Sequence, residues 1–195
     1  IRSENLKEAN ETLSNAISQL AIFLHWNINQ DIIHASVDGQ KFETRHHTLK
    51  SRYSPKYFGL NQGVVAYTMI ANHIPVNTKI IGANEYEGHY VFDMVFNNTS
   101  DIDVDLLSSD MHGINQVNFA LLDFINCQYA PRYTRINHRK NLICAFSNPS
   151  RYKDYLIKPA GKINKDLIID EWDNIQRIVA SLMLKETTQE IIVKK

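Results

Sequence analysis

Two short apolar runs, each followed by an aspartate and then a glycine, constrain this chain more than any other feature. Residues 33–37 precede Asp38 and Gly39, and residues 104–109 precede Asp110, with Gly113 three positions later. Such runs, bounded by turn residues, are typical of buried β-strands. Carboxylates at the ends of two neighbouring strands are fixed in position and can hold hard divalent cations. The alternative is that each aspartate only stabilises a turn, as aspartate before glycine commonly does.

The composition permits one good hydrophobic core. A chain of 195 residues with 44% hydrophobic content can form one domain with an appended element. It starts at Ile1 and ends on Lys195 without a helix-stop signal, so we interpret it as part of a longer protein. No apolar run approaches membrane-spanning length, and the polar start is unlike a signal peptide. We therefore expect a cytosolic protein without a membrane partner.

The two cysteines have no metal-ligand spacing and are too few for a disulfide framework. We predict that both Cys127 and Cys144 are buried free thiols.

Basic residues gather in two tracts, although the net charge of the chain is zero. Both tracts contain tyrosines, and this mixture suits phosphate neutralisation combined with stacking on bases or sugars. A solvated basic face is the alternative for either tract alone. The first tract contains Lys41, Arg45, Lys50, Arg52 and Lys56, and the second contains Arg132, Arg135, Arg139, Lys140, Arg151, Lys153, Lys158, Lys162 and Lys165.

Hydrophobic periodicity predicts an opening helix, three strands in a row, and then helix, strand, helix, strand and a final helix. The predicted helices are residues 4–24, 88–97, 114–125 and 170–184, and the predicted strands are 32–37, 63–74, 76–83, 103–108 and 127–130.

This order resembles the ribonuclease-H-like fold, which places one acid on its first strand and one on its fourth, the positions of Asp38 and Asp110. We therefore predict an α/β fold whose mixed sheet has three antiparallel strands and then two parallel ones, flanked by helices and truncated before its last helix. The expected domains are an N-terminal helical segment (1–30), a partial catalytic core (31–165) and the start of a helical insertion or C-terminal extension (166–195).

A third carboxylate in that fold normally comes from a helix after the fifth strand. Asp170 and Glu171 open the last predicted helix, where acids also occur simply because they favour a helix N-terminus. The candidates within this chain are Asp170, Glu171, Asp173, Glu186 and Glu190.

Five stretches then resemble one known family. They are Ser-Val-Asp-Gly-Gln at 36–40, Arg-Tyr-Ser-Pro-Lys-Tyr-Phe-Gly at 52–59, Ser-Ser-Asp-Met-His-Gly at 108–113, and two later blocks around 130–132 and 172–182. They are similar, respectively, to the first catalytic motif, the signature loop, the second catalytic motif and later blocks of the DDE transposases of the Tn3 family, bacterial enzymes of replicative transposition. The family often has threonine where Met111 stands.

The resemblance implies that Asp38 and Asp110 are catalytic residues that bind Mg²⁺, with Mn²⁺ as an alternative, in a two-metal site. The third family ligand is a glutamate after Arg-Gly or Lys-Gly and shortly before Tyr-His, and this sequence has no such motif. We therefore expect that glutamate beyond Lys195 and expect the fragment to be inactive alone.

The implied activity is cleavage at the 3′ ends of a transposon followed by strand transfer into target DNA. The implied partners are double-stranded DNA, namely terminal inverted repeats and target, and a second copy of the full-length protein. The implied location is the bacterial cytoplasm, at the nucleoid. Arg52, Lys56 and Arg132 are the candidate DNA-backbone contacts, while Tyr53 and Tyr57 either stack on a base or pack within their loop.

Two other functions remain open on the sequence. The chain could be a DNA-binding or assembly module without activity, or a different ribonuclease-H-like nuclease whose third acid is Asp170 or Glu171. His112 lies beside Asp110, and we interpret it as a solvated or hydrogen-bonded turn residue.

Overall fold

The computed structural model describes residues 3–20, 25, 32–134 and 143–194. These form two compact units, one from residues 1–132 together with 189–195 and the other from residues 133–188. The basic residues Arg135, Arg139 and Lys140 lie outside the described residues. No helix in the described ranges is both long enough and apolar enough to cross a membrane.

The first unit is built on a six-stranded mixed sheet. Its order is β4, β3, β1, β5, β6, and the short β2 pairs with β3 at Gln62 and Gly63. β1, β3 and β4 are antiparallel neighbours, whereas β5 runs parallel to β1 and β6 parallel to β5. The strands are β1 (His34–Glu43), β2 (Arg52–Tyr53), β3 (Gln62–Ala71), β4 (Ile74–Gly82), β5 (Leu106–Ser109) and β6 (Gln128–Tyr129). The predicted α/β class with a mixed sheet is confirmed.

Five helices accompany this sheet in the part of the first unit that the structure describes. They are α1 (Ser3–Ser18), α2 (Pro55–Phe58), α3 (Val91–Phe96), α4 (Gln116–Asp123) and α7 (Gln189–Val193), and a 3₁₀ turn, Glu87–His89, precedes α3. α1 lies along β4, where Asn10 Nδ2 and Ser14 Oγ both donate to the carbonyl of Pro75, each at 3.2 Å.

The second unit contains a two-stranded parallel ladder and two helices. They are β7 (Cys144–Ala145), β8 (Gly161–Lys162), α5 (Lys165–Asp170) and α6 (Trp172–Met183). Cys127 in the first unit is buried, as predicted, but Cys144 is exposed. The prediction for Cys144 was wrong because an isolated strand pair has too little around it to cover both faces.

β1 differs most from its prediction. We expected a strand over residues 32–37 that ends in a turn at Asp38 and Gly39, but the strand runs on to Glu43. β3 offers antiparallel partners along this whole length, from Ala35 opposite Ala71 to Glu43 opposite Gly63. Asp38 therefore lies inside a strand, and the glycine after it does not form a turn.

Local capping explains other shifted boundaries. α4 begins at Gln116 because the side chain of Asn115 accepts the N–H of Val117 at 3.0 Å. The predicted helix 170–184 corresponds to α6, Trp172–Met183, and the separate helix α5, Lys165–Asp170, precedes it and meets it at Glu171. The opening helix ends at Ser18, and residues 21–24 of its predicted span lie outside the described residues.

The turn between β3 and β4 is tight, as predicted, but it lies earlier in the chain than Pro75. Asn72 and His73 both have positive φ, 46° and 68°, which is typical of a two-residue type I′ hairpin turn. The two strands therefore meet at these residues, and Pro75 lies within β4.

Gln189 ties the last helix to the first unit. The residue is fully buried. Its side chain accepts the N–H of Phe92 at 2.9 Å and donates to the carbonyl of Gly88 at 3.2 Å and to the Asn118 side chain. Its backbone N–H donates to Asp93 Oδ1 at 3.2 Å. One buried amide thus connects α7, α3, α4 and the 3₁₀ turn.

Replacing this amide should destabilise the first unit. In Gln189→Ala the N–H of Phe92 and the side chain of Asn118 lose buried partners, so we expect the free energy of unfolding to fall by about 2–4 kcal/mol. Urea denaturation followed by circular dichroism measures this change. The matched control is Gln116→Ala on the exposed surface of α4, which should stay within about 0.5 kcal/mol of the wild type. Equal stability of the two variants would contradict this account.

Candidate metal centre

Parallel pairing of β1 with β5 brings the two predicted aspartates together. The last matched pair is Val37 opposite Ser109, and the next residue on each strand is an aspartate, Asp38 and Asp110. Asp38 is exposed and about 45% of the Asp110 side chain is accessible. The sequence predicted this proximity, and both carboxylates can be reached from solvent.

Asp110 is held by the turn that follows it. Its Oδ1 accepts the N–H groups of His112 at 2.8 Å and of Gly113 at 3.3 Å, and its Oδ2 lies 2.9 Å from His112 Nδ1. His112 is thus hydrogen-bonded, as we interpreted it. Asp38 Oδ1 accepts the N–H of Gly39 at 2.8 Å. Each carboxylate retains further lone pairs, so these bonds do not exclude a cation.

A third carboxylate lies beside these two, and the sequence did not indicate it. Glu87 is 6% exposed, and one oxygen from each of Asp38, Glu87 and Asp110 lies within 4.8 Å of the others. Glu87 belongs to no motif, and an acid just before an apolar helix is ordinarily explained by the helix dipole. The one trace of Glu87 in the sequence is Gly39, which the predicted turn explained but which in the structure lies inside β1.

Gly39 makes room for Glu87. A Cβ built on Gly39 would overlap the Glu87 carboxylate and lie 2.7 Å from Val65 Cγ1. Real Cβ atoms do not approach other atoms so closely, so only glycine permits this approach of the carboxylate to β1.

Backbone and amide hydrogen bonds join the Glu87 turn to the Asp110 turn. Gly88 N–H donates to the carbonyl of His112 at 3.1 Å. The buried Asn118 side chain donates to the carbonyls of both Gly88 and Gly113, at 2.9 and 3.1 Å. The two acidic turns are therefore fixed relative to each other.

Burial raises the pKa of the Glu87 carboxyl above its usual value. Lys41, whose Nζ is 3.9 Å away, opposes this shift, while the negative charges of Asp110 and Asp38 add to it. Three acids in one place repel one another, and a cation bound among them would relieve that repulsion.

Tyr67 is a buried residue next to this cluster. It lies opposite Gly39 in the β1–β3 ladder and is fully buried. Among the described residues its hydroxyl has no hydrogen-bond partner. Burial raises its pKa, and the charges of Tyr129, Glu87, Asp110 and Asp38 raise it further.

The five acids that the sequence offered only as candidates for the third ligand are not in this cluster. Among the described residues, the group that could hold a metal ion is Asp38, Glu87 and Asp110. Glu190 in the first unit forms an ion pair with Lys194 at 2.6 Å instead. The other four, Asp170, Glu171, Asp173 and Glu186, belong to the second unit.

The candidate DNA contacts lie at the surface. Tyr53 and Tyr57 are 56% and 45% exposed. Two lysines contact the Tyr57 ring, Lys41 of β1 with its Nζ 4.7 Å from the ring centroid and Lys56 of the same loop at 5.0 Å, so Tyr57 packs against β1 and its own loop. Lys41 also faces Glu87, so the loop of residues 52–59 adjoins the acidic cluster.

The two arginines differ in how they are held. Arg52 Nη1 donates to the carbonyls of Leu49 and Ser51, both at 2.8 Å, so its guanidinium is already engaged in its own loop. The exposed Arg132 donates its backbone N–H to the carbonyl of Ser109 at 2.8 Å, which places it next to the strand end that bears Asp110.

The donor set suits a hard divalent cation. Carboxylate oxygens are the ligands that magnesium and manganese prefer, and three of them converge within a few ångström here. The buried hydroxyl of Tyr67 adds a donor that no protein group among the described residues accepts. The residues present therefore fit such an ion.

Comparison with known proteins identifies transposases as relatives of this chain. The model of the family described as Tn3 transposase DDE domain matches residues 1–195. The transposase for transposon Tn501 of Pseudomonas aeruginosa is 26% identical and that for transposon Tn21 of Escherichia coli is 27% identical, each over 100% of this chain and 19% of the relative. The transposase for transposon Tn4556 of Streptomyces fradiae is 23% identical over 93% of this chain and 20% of the relative. The chain thus spans about a fifth of these relatives. No solved structure matches it significantly.

Adding one methyl group at Gly39 should disturb the centre. In Gly39→Ala the new Cβ would overlap the Glu87 carboxylate and crowd Val65, so we expect a loss of about 1–3 kcal/mol in stability. Thermal or urea denaturation measures it. Ser36→Ala on the exposed face of the same strand is the control and should change little.

A double variant, Gly39→Ala with Glu87→Ala, should recover part of that loss because the carboxylate has gone. If the double variant were no more stable than Gly39→Ala, the close contact with Glu87 would not be the cause.

Proposed function

Because the chain belongs to the Tn3 transposase DDE domain family, we propose that it is the part of a bacterial DNA transposase that carries two catalytic aspartates. The proposed reaction is metal-dependent cleavage at the 3′ ends of a transposon followed by strand transfer into target DNA. The observation that carries this proposal is the juxtaposition of Asp38 and Asp110, each within a stretch that resembles a catalytic motif, on neighbouring parallel strands.

The sheet supports a ribonuclease-H-like core. Three antiparallel strands are followed by two parallel ones, and the first and fourth long strands of the sheet, β1 and β5, supply the aspartates. We propose this fold for the chain, with the domain division 1–30, 31–165 and 166–195 retained as a prediction.

In the proposed mechanism Asp38 and Asp110 hold the divalent cation, Mg²⁺ or Mn²⁺. A cation in this place supplies charge stabilisation at the phosphate and lowers the pKa of an attacking water or hydroxyl. His112 and Gly113 orient the Asp110 carboxylate through their hydrogen bonds. Because both aspartates are accessible, a phosphodiester of bound DNA can reach them.

Basic side chains next to this centre would bind the DNA backbone. We propose Lys56 and Arg132, both exposed, as phosphate contacts, with Arg52 supporting the loop that presents Lys56. Tyr53, more exposed than Tyr57, is the better candidate for stacking on a base. The partners are double-stranded DNA, namely terminal inverted repeats and target, and a second copy of the complete transposase, which acts at the bacterial nucleoid.

A second candidate function is a DNA-binding or assembly module that does not cut DNA alone. One observation favours it: the sequence contains no Arg-Gly-Glu or Lys-Gly-Glu, the motif that carries the family's third catalytic residue, a glutamate. The alternative nuclease with Asp170 or Glu171 as its third acid has no support from the acidic cluster, which contains neither residue.

Neutralising either aspartate should abolish cleavage. In a transposase that contains this chain and extends beyond Lys195, Asp38→Asn and Asp110→Asn remove a cation ligand while retaining the side-chain shape, so we expect a fall of at least about 10³-fold in the cleavage rate. The assay is nicking of a labelled duplex bearing a transposon end, with Mg²⁺ or Mn²⁺.

The exposed Asp123→Asn is the matched control and should keep wild-type activity. Full activity of Asp38→Asn would refute the proposal. The chain of 195 residues is assayed in parallel, and cleavage by it alone would exclude the inactive-module function.

Charge reversal at the proposed phosphate contacts should weaken DNA binding without regard to sequence. For Lys56→Glu and Arg132→Glu we expect lower affinity for any duplex and a salt dependence reduced by about one unit of slope for each lost contact. Fluorescence anisotropy at several salt concentrations measures both quantities. Lys7→Glu on α1 carries the same charge change and should leave the slope unaltered; an equal effect there would indicate non-specific electrostatics.

A further inference from the structure

We propose that Glu87 is the third carboxylate ligand of the divalent cation held by Asp38 and Asp110, so that this chain contains a three-carboxylate cation site of its own. The inference rests on the proposed function, because it concerns the same centre. It adds a ligand that lies on neither catalytic motif and is distinct from the glutamate that the family resemblance places elsewhere.

The first argument is position. One oxygen of Glu87 lies within 4.8 Å of an oxygen of Asp38 and of Asp110. A cation at about 2.0–2.6 Å from each ligand fits between oxygens with this separation. Only 6% of the surface of Glu87 is exposed, so its carboxylate is held inside the protein and is not a solvated surface group.

The second argument is that the protein is built around this placement. Gly39 lacks the Cβ that would overlap the Glu87 carboxylate. The turn that bears Glu87 is fixed on both sides of Gly88, by the N–H bond to His112 and by the carbonyl bonds from Asn118 and Gln189. A ligand held by packed, hydrogen-bonded neighbours has the rigidity that a metal site requires.

The third argument comes from a side chain that is not an acid. Tyr67 is fully buried and lies opposite Gly39, the residue that the Glu87 carboxylate approaches, and its hydroxyl has no hydrogen-bond partner among the described residues. A hydroxyl donor in such a place can donate to a water molecule of a hydrated cation or to a ligating carboxylate. The Nζ of Lys41 is 3.9 Å from Glu87 Oε1, too far for a hydrogen bond. Lys41 therefore offsets the charge of the Glu87 carboxylate without occupying its lone pairs.

Glu87 would therefore bind the cation from the buried side of the cluster, while Asp38 and Asp110 bind it from the accessible side. The three carboxylates carry the charge needed to bind a divalent ion without DNA. Binding by the isolated chain is thus the property that separates this inference from the catalytic proposal.

The test uses Mn²⁺ and the chain of 195 residues, without DNA. Electron paramagnetic resonance gives the dissociation constant from the free-ion signal, and pulsed measurements in D₂O count the water molecules bound to Mn²⁺. For Glu87→Gln we expect at least a tenfold weaker affinity and about one additional water, because water replaces the lost oxygen. Glu43→Gln, on the strand that carries Asp38, makes the same change of charge and should bind within twofold of the wild type.

The outcomes separate the two proposals. If Asp38→Asn and Asp110→Asn weaken Mn²⁺ binding and Glu87→Gln does not, the inference fails and the aspartate site stands. Weaker binding with an unchanged water count would also overturn it, because Glu87 would then only position another ligand. If no variant changes the affinity, the centre itself is refuted. Should Glu87→Gln not fold, Glu87→Asp, which keeps the charge but withdraws the carboxylate by one methylene, is measured against the same expectations.

Discussion

The parallel pairing of β1 with β5 is the constraint on which the rest of the structure depends. It matches Val37 with Ser109, so the next residue on each strand is an aspartate and the two carboxylates meet. A shift of one residue in this register would turn Ala35 and Val37 out of the core and move Asp38 away from Asp110. The hydrophobic pattern of β1 therefore fixes the centre as firmly as it fixes the sheet.

A buried polar network holds the third acid against this pair. Asn118 and Gln189, both fully buried, share the carbonyl of Gly88 as an acceptor, and Asn118 also bonds to Gly113 in the turn after Asp110. Buried amides of this kind are stable only when their hydrogen bonds are satisfied, so the network specifies one arrangement. The helix from Gln189 to Val193 thereby supports the centre although it contributes no ligand to it.

The centre also combines charges that stability alone would not favour. Burial raises the pKa of the Glu87 carboxyl, and Asp110 and Asp38 add repulsion that Lys41 only partly offsets. A fold selected for stability would replace such a group with an apolar side chain. The presence of three acids and a buried tyrosine hydroxyl in one place is typical of a functional site, where such unfavourable burial and charge repulsion are tolerated.

The sequence by itself determined the α/β class, the proximity of Asp38 and Asp110 and the basic loop beside them, because these depend on local signals: apolar runs, aspartate followed by glycine, and contiguous motifs. It misplaced the end of β1 and missed Glu87, because both depend on partners distant in the chain. β1 continues through Asp38 since β3 pairs with it as far as Glu43, and Gly39 is a glycine because a carboxylate 48 positions later packs on it. Only the tertiary structure brings Glu87, Tyr67 and Gly39 together, since contacts between separate elements leave no periodic trace in the sequence.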